Sequence, residues 1–132
     1  MASFEQAFRT RLKSDPAVAA IVQNRIDWGD IPQAWGLPNV RLTLVSGGRD
    51  QHLKGFYSRQ QSRVRLEARA STYAEMVELA KACEAASLGP TTIDNVVLGR
   101  AMVEAPRDAG DNPGTGFVHR RITDFLVPHN LV

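Results

Sequence analysis

The chain has 132 residues, 43% hydrophobic and 23% charged, which is the composition of a folded globular protein and a length with room for one domain and no second. Its formal net charge is +2 with a sequence pI of 9.0, too slight a basic excess to argue for nucleic acid by itself. One cysteine excludes an internal disulfide, no apolar run approaches the roughly 18 residues of a membrane helix, and the opening MASFEQAFR lacks the basic start and apolar core of a secretory signal, so a cytoplasmic product is expected.

Ser3 with Gln6 forms a capping-box pattern that opens a helix near Phe4. Phe4, Ala7, Phe8 and Leu12 fall on one face of it, with Glu5, Arg9 and Lys13 off that face. Asp15-Pro16 then reads as N-cap and first position of a short second helix through Val18, Ile21 and Val22, stopped at Asn24. Arg25 to Asn39 is broken by Gly29, Pro32, Gly36 and Pro38 and reads as a loop with a short extended piece at Arg25–Trp28. Its tryptophans, Trp28 and Trp35, are expected to close the core, with an interface role as the alternative.

Val40 to Ser46 reads as a strand, with Val40, Leu42 and Leu44 against Arg41 and Thr43, broken by Gly47-Gly48. The polar stretch Arg49–Gln60 reads as the far end of a long hairpin. From Arg63 to Ala70 the alternation is unbroken: Val64, Leu66, Ala68 and Ala70 on one side, Arg63, Arg65, Glu67 and Arg69 on the other. Thr72 with Glu75 caps a helix over Tyr73–Ser87, whose apolar side holds Met76, Leu79, Ala80, Cys83 and Ala86. Cys83 is thus expected to be a buried structural thiol. Asn95 to Ala105 reads as the third main strand, with a bend at Gly99, Pro106–Gly116 as a turn-rich loop, and Phe117–Val127 as the fourth strand, stopped by Pro128. The sum is an α+β fold, a mainly antiparallel sheet of about four strands with two to three helices on one face.

No motif in this order carries chemistry. His52, His119 and His129 stand in a loop, a strand and a tail without carboxylate or cysteine at metal-ligand spacing, so no metal, cofactor or catalytic site is expected. Ser46-Gly47-Gly48-Arg49-Asp50 reads as a hairpin breaker ahead of an anion site, because no helix follows it. Glu67, between Arg65 and Arg69, reads as an ion-paired face residue ahead of a catalytic acid. The arginine face of Arg63, Arg65 and Arg69, with Arg41, Arg120 and Arg121 on other candidate strands, is the unusual feature. A solvated face and a subunit interface stand level as its meaning. A nucleic-acid platform ranks behind both, for want of stacking aromatics and of net charge.

The ordered pieces resemble the tail completion, or tail terminator, proteins of long-tailed phages and gene transfer agents. Asp15-Pro16 before an apolar helix, Arg25-Ile26, Ile31-Pro32-Gln33 and Leu37-Pro38-Asn39-Val40 are similar to that family's opening. Ser46-Gly47 with Arg49-Asp50, and Leu53-Lys54-Gly55, resemble its hairpin; Ser62 to Ala70 with Thr72-Tyr73-Ala74-Glu75 resembles its most recognisable segment; Arg120 to Phe125 resembles its closing strand. The chain departs from the family at its end, where Pro128-His129-Asn130 stands in place of an apolar or aromatic strand. The resemblance implies a structural virion protein with no cofactor and no reaction. It implies a hexameric ring on the head-proximal end of the tail tube, which stops tube polymerisation and joins tail to neck, with another neck or head-closure role as the alternative, and assembly in the host cytoplasm. Its partners would be further copies of itself, the tail tube protein and a neck or head-completion protein, with DNA passing through the lumen and no membrane. Arg49, Asp50, Lys54, Arg63, Arg65, Glu67 and Arg69 are the candidate interface residues.

Overall fold

Two capped helices open the chain. The Ser3 hydroxyl accepts from the Gln6 amide and the Gln6 side chain accepts from the Ser3 amide, which starts α1, Phe4–Ser14. Asp15 ends α1 and caps α2, Pro16–Val22: its carboxylate accepts from the Ala17 and Val18 amides, and Pro16 at the first position has no N–H to satisfy. The predicted apolar face of α1 is the buried one, with Phe4, Ala7, Phe8 and Leu12 in the core. The computed structural model describes residues 3–32, 35–52, 55–104, 106–111 and 117–131.

A short strand, β1 (Ile26–Trp28), runs parallel to β2 (Asn39–His52), which returns antiparallel as β3 (Gly55–Ala70). Helix α3 (Tyr73–Leu88) follows, its first turn capped by the Thr72 hydroxyl accepting from the Glu75 amide. Then come β4 (Thr91–Ile93), β5 (Val96–Leu98), β6 (Met102–Val103), β7 (Arg107–Asp111) and the long β8 (Val118–Leu131). β8 pairs with β3 along one edge, while its other edge takes β7, β6 and β5 in turn. The sheet runs β1-β2-β3-β8-β5-β4, with β6 and β7 also on β8. Apart from the parallel β1–β2 pair its ladders are antiparallel.

The eight strands correct the expectation of about four. The added ones are two to five residues long, too short to show a period in sequence. The expected strand at Asn95–Ala105 is two pieces, β5 and β6, and half of the expected Pro106–Gly116 loop is β7; residues 112–116 lie outside the described residues. A tight turn at Asp94-Asn95, both at positive φ (49° and 69°), joins β4 to β5; two left-handed residues are what a two-residue hairpin with the sheet's twist requires. Gly47-Gly48 does not break β2. The ladder continues through both glycines, and its two irregularities sit on either side of them, between Leu44 and Ser46 and between Arg49 and Gln51. The first bulge inserts Val45, and Leu44, still in register opposite the buried Val64, is 44% exposed beside Val45 at 43%, against the core position expected for Leu44.

Pro128 does not stop the last strand either. It lies opposite Gln61, and its carbonyl accepts from the Gly99 amide on the outer side, at 2.7 Å. The proline's missing N–H therefore faces the gap where the outer neighbour of β8 changes from β6 to β5, so no ladder bond is lost. Gly99 is required there, since a Cβ would lie 2.8 Å from Pro128 Cγ and 3.2 Å from Pro128 O. His129, expected in a tail, is buried in β8, with Nε2 2.8 Å from Ser62 Oγ and its ring stacked on Phe4.

The helices cover the sheet face that carries Val40, Leu42, Val64, Leu66, Ala68, Phe125 and Val127. Phe8 packs against Phe125 and Trp28 at the centre, and Trp28 anchors itself by donating from Nε1 to the Glu5 carbonyl. Burying each large apolar side chain stabilises by about 1.5–3 kcal/mol. Trp35 is half-buried and stands outside this cluster, so the expectation holds for Trp28 alone. Cys83 is fully buried, and burial pushes its thiol pKa up to about 12.

Candidate functional site

Among the described residues no helix lies on the other face of the sheet. Strand alternation sends Arg63, Arg65, Glu67 and Arg69 of β3 to it, as expected. Register then adds what sequence spacing cannot show. Arg41 of β2 stands directly opposite Glu67, and Asp124 of β8 directly opposite Arg65. Arg65 Nε lies 3.1 Å from Asp124 Oδ1, and Arg63 pairs with Glu104 from the segment just after β6. These hydrogen bonds push the guanidinium pKa of both arginines up.

Glu67 is ion-paired, but not to its neighbours on β3. Its Oε1 is 3.4 Å from Arg120 NH1 and its Oε2 3.8 Å from Arg41 Nε, so it bridges β8 and β2 across the sheet. Arg41 is the direct cross-strand partner of Glu67, while Arg120 is its diagonal neighbour, two positions along β8 from the directly opposed Ile122 and within reach of a long arginine side chain. The Glu67 side chain is 11% exposed; those of its two arginines are 32% and 38% exposed.

The face is thus divided. Toward the hairpin, Arg63–Glu104 and Arg65–Asp124 match one cation to one anion. Toward the far end, Arg69 lies directly opposite Arg120 and Asn39, and none of the ion pairs among the described residues uses it. The Nε atoms of Arg69 and Arg120 are buried without a hydrogen-bond partner. A planar fork in that position suits an incoming carboxylate or phosphate oxygen pair. Arg49 and Asp50 sit further along β2 on the hairpin, outside this cluster, and Lys54 lies outside the described residues.

Arg121, grouped with the arginine face in the sequence, points the other way. It is adjacent to Arg120 on β8, and adjacent strand residues face opposite sides. On the helix side its Nε donates to Asp108 Oδ1 at 2.7 Å, and Tyr73 Oη donates to Asp108 Oδ2 at 2.7 Å. This cluster pins β7 to the start of α3. The two donors hold the Asp108 carboxyl below its ordinary range, and Tyr73 is pushed up because its proton is bound to Asp108. Beside it an open groove of 330 Å³ is lined by Tyr73, Met76, Asp108, Ala109, Gly110, Phe117 and His119. The Phe117 ring lies over Gly110, where any Cβ would collide with it. Sequence reasoning missed this cluster because Asp108 fell in a stretch read as loop.

The family model described as Tail completion protein gp17 matches residues 6–122. The chain belongs to the tail completion protein gp17 family. As such it is a structural protein of the phage tail and a component of the virion. Among solved structures, the tail completion protein is similar in fold to a chain of the "Virion of native gene transfer agent (GTA) particle", with a TM-score of 0.65 at 14% identity, covering 97% of this chain and 95% of that one. No curated protein sequence matches it. The matched span runs from Gln6 within α1 to the first part of β8, and takes in the described arginine face except the Asp124 end of β8.

Proposed function

We propose that this tail completion protein, acting as one domain over residues 1–132, assembles into a ring, of six copies, on the head-proximal end of the tail tube. The ring stops tube polymerisation and gives the neck a surface to join, with DNA passing through its lumen. The observation that carries this reading is the family match over nearly the whole chain, supported by the like fold in a gene transfer agent virion. A helix-free charged face and a strand hairpin running past the core give the subunit two surfaces of different character. A head-to-tail ring needs two such unlike surfaces on each copy. Arg63, Arg65, Glu67 and Arg69 then serve the contact between copies, and Arg49, Asp50 and Lys54 on the hairpin meet the tube or the neck.

The test is assembly on a template. Purified chain is mixed with polymerising tail tube protein, and the products are followed by native mass spectrometry and negative-stain electron microscopy. Tubes are expected to stop growing and to carry a ring of added density at one end. A chain that stays monomeric and neither binds tube ends nor changes tube length would overturn the proposal.

A further inference from the structure

We infer that the far end of the arginine face is the seat for helix α3 of the neighbouring copy; this rests on the ring reading. Arg41, Arg69, Arg107 and Arg120 stand at that end; among the described residues the acidic groups beside them are Glu67, the exposed Asp30, and Asp27, which stands opposite Arg41 and pairs with Arg9. Arg107 reaches this face because it stands opposite Ile122, which itself stands opposite Glu67. The end therefore carries an excess of positive charge, and the Nε atoms of Arg69 and Arg120 are buried there without a hydrogen-bond partner.

The complementary surface is on the same chain. The outward side of α3 holds Glu75, Glu78 and Glu84 against the single Lys81. Among the described residues none of the three glutamates has an ion-pair partner. Exposed Ala74 and Ala85 flank Glu78 and Lys81 along the helix and keep the surface low enough for close approach. Because α3 packs by Met76, Leu79, Ala80 and Cys83 onto the core side of the sheet, its acidic side and the arginine face look in opposite directions. One copy thus offers a cationic sheet on one side and an anionic helix on the other, the arrangement a heterologous contact between identical copies needs. Carboxylates on a rigid helix match the arginine forks, and the like fixed charges across a wrongly turned copy repel.

The experiment is a charge swap. Variant one carries Arg69→Glu with Arg107→Glu, which makes the face acidic; Arg69 has no partner to lose and its replacement can pair with Arg120. Variant two carries Glu78→Lys with Glu84→Lys, which makes the helix basic. Each is compared with the unaltered chain on tail tube ends by native mass spectrometry, with DNA binding measured alongside. Each variant alone is expected to remain at the 14.5 kDa monomer mass, and an equal mixture to regain the assembled mass, because each variant's face then meets the other's helix. If the unaltered chain assembles and both variants alone do so equally well, the α3 contact is overturned while the ring stands. If variant one loses only salt-dependent DNA binding and still assembles, the face belongs to nucleic acid and the inference falls. If the unaltered chain never assembles, the ring reading fails and takes this contact with it.

Discussion

Replacing Glu67 with glutamine removes one charge at the crowded end of the arginine face and keeps the side-chain shape. At contact distances of 3.4 and 3.8 Å, each of its two pairs is worth about 1 kcal/mol at the dielectric of water and about 4–5 kcal/mol at an effective value near 20. The carboxylate is largely shielded but both arginines are about a third exposed, so solvent screens the pairs heavily, and desolvation of Glu67 offsets part of the remainder. Without the carboxylate, Arg120 faces Arg69 directly with no anion between Arg41 and Arg120. The net loss works out at about 1–2 kcal/mol, or roughly 3–4 °C in Tm for each kcal/mol in a chain of this size. Urea unfolding of Glu67→Gln and the unaltered chain, at low salt and at high salt, measures it. The deficit should shrink as salt screens the exposed arginines. A loss under about 0.5 kcal/mol at low salt, or one indifferent to salt, would refute the claim that Glu67 neutralises the face.

His129 is held below its ordinary pKa by burial, with Glu5 acting in the opposite direction. The folded state therefore takes up a proton later than the unfolded state, so stability present above about pH 6.5 is lost as pH falls toward the folded value. The urea midpoint should drop between about pH 7.5 and 5.5 in the native chain and hold steadier in His129→Gln; identical pH profiles would contradict this. Gly99→Ala forces a Cβ to 2.8 Å from the Pro128 ring and should cost about 1–3 kcal/mol in unfolding experiments, and an unchanged midpoint would mean that β5 and β8 separate freely. Cys83 should react with a thiol reagent at a rate set by unfolding, because it is buried and its pKa is raised to about 12; rapid labelling of the native chain would show the α3 packing to be open.

The helix-side cluster was only partly legible in the sequence. Tyr73 stood at a predicted helix start and Arg121 in a predicted strand, but Asp108, which joins them, carried no periodic signal. The Asp94-Asn95 pair was a readable turn signal, two residues that tolerate the left-handed region, and it would have revealed the β4–β5 hairpin.

What the sequence by itself determined was local. The caps at Ser3, Asp15 and Thr72, the buried face of α1, and the split of β3 into a core side and an arginine side all follow from spacings of two, three and four residues, which the backbone geometry of strand and helix enforces on its own. The order of the family's motifs was legible in the same way. Only the tertiary structure decided which carboxylate meets which arginine, that Arg120 joins the face while Arg121 leaves it, that β8 runs through Pro128, and that the short strands β5, β6 and β7 share one edge of it. Those are matters of register between segments far apart in the chain. A shift of a single residue there exchanges the two faces of a strand, and no local pattern fixes it until the core has closed.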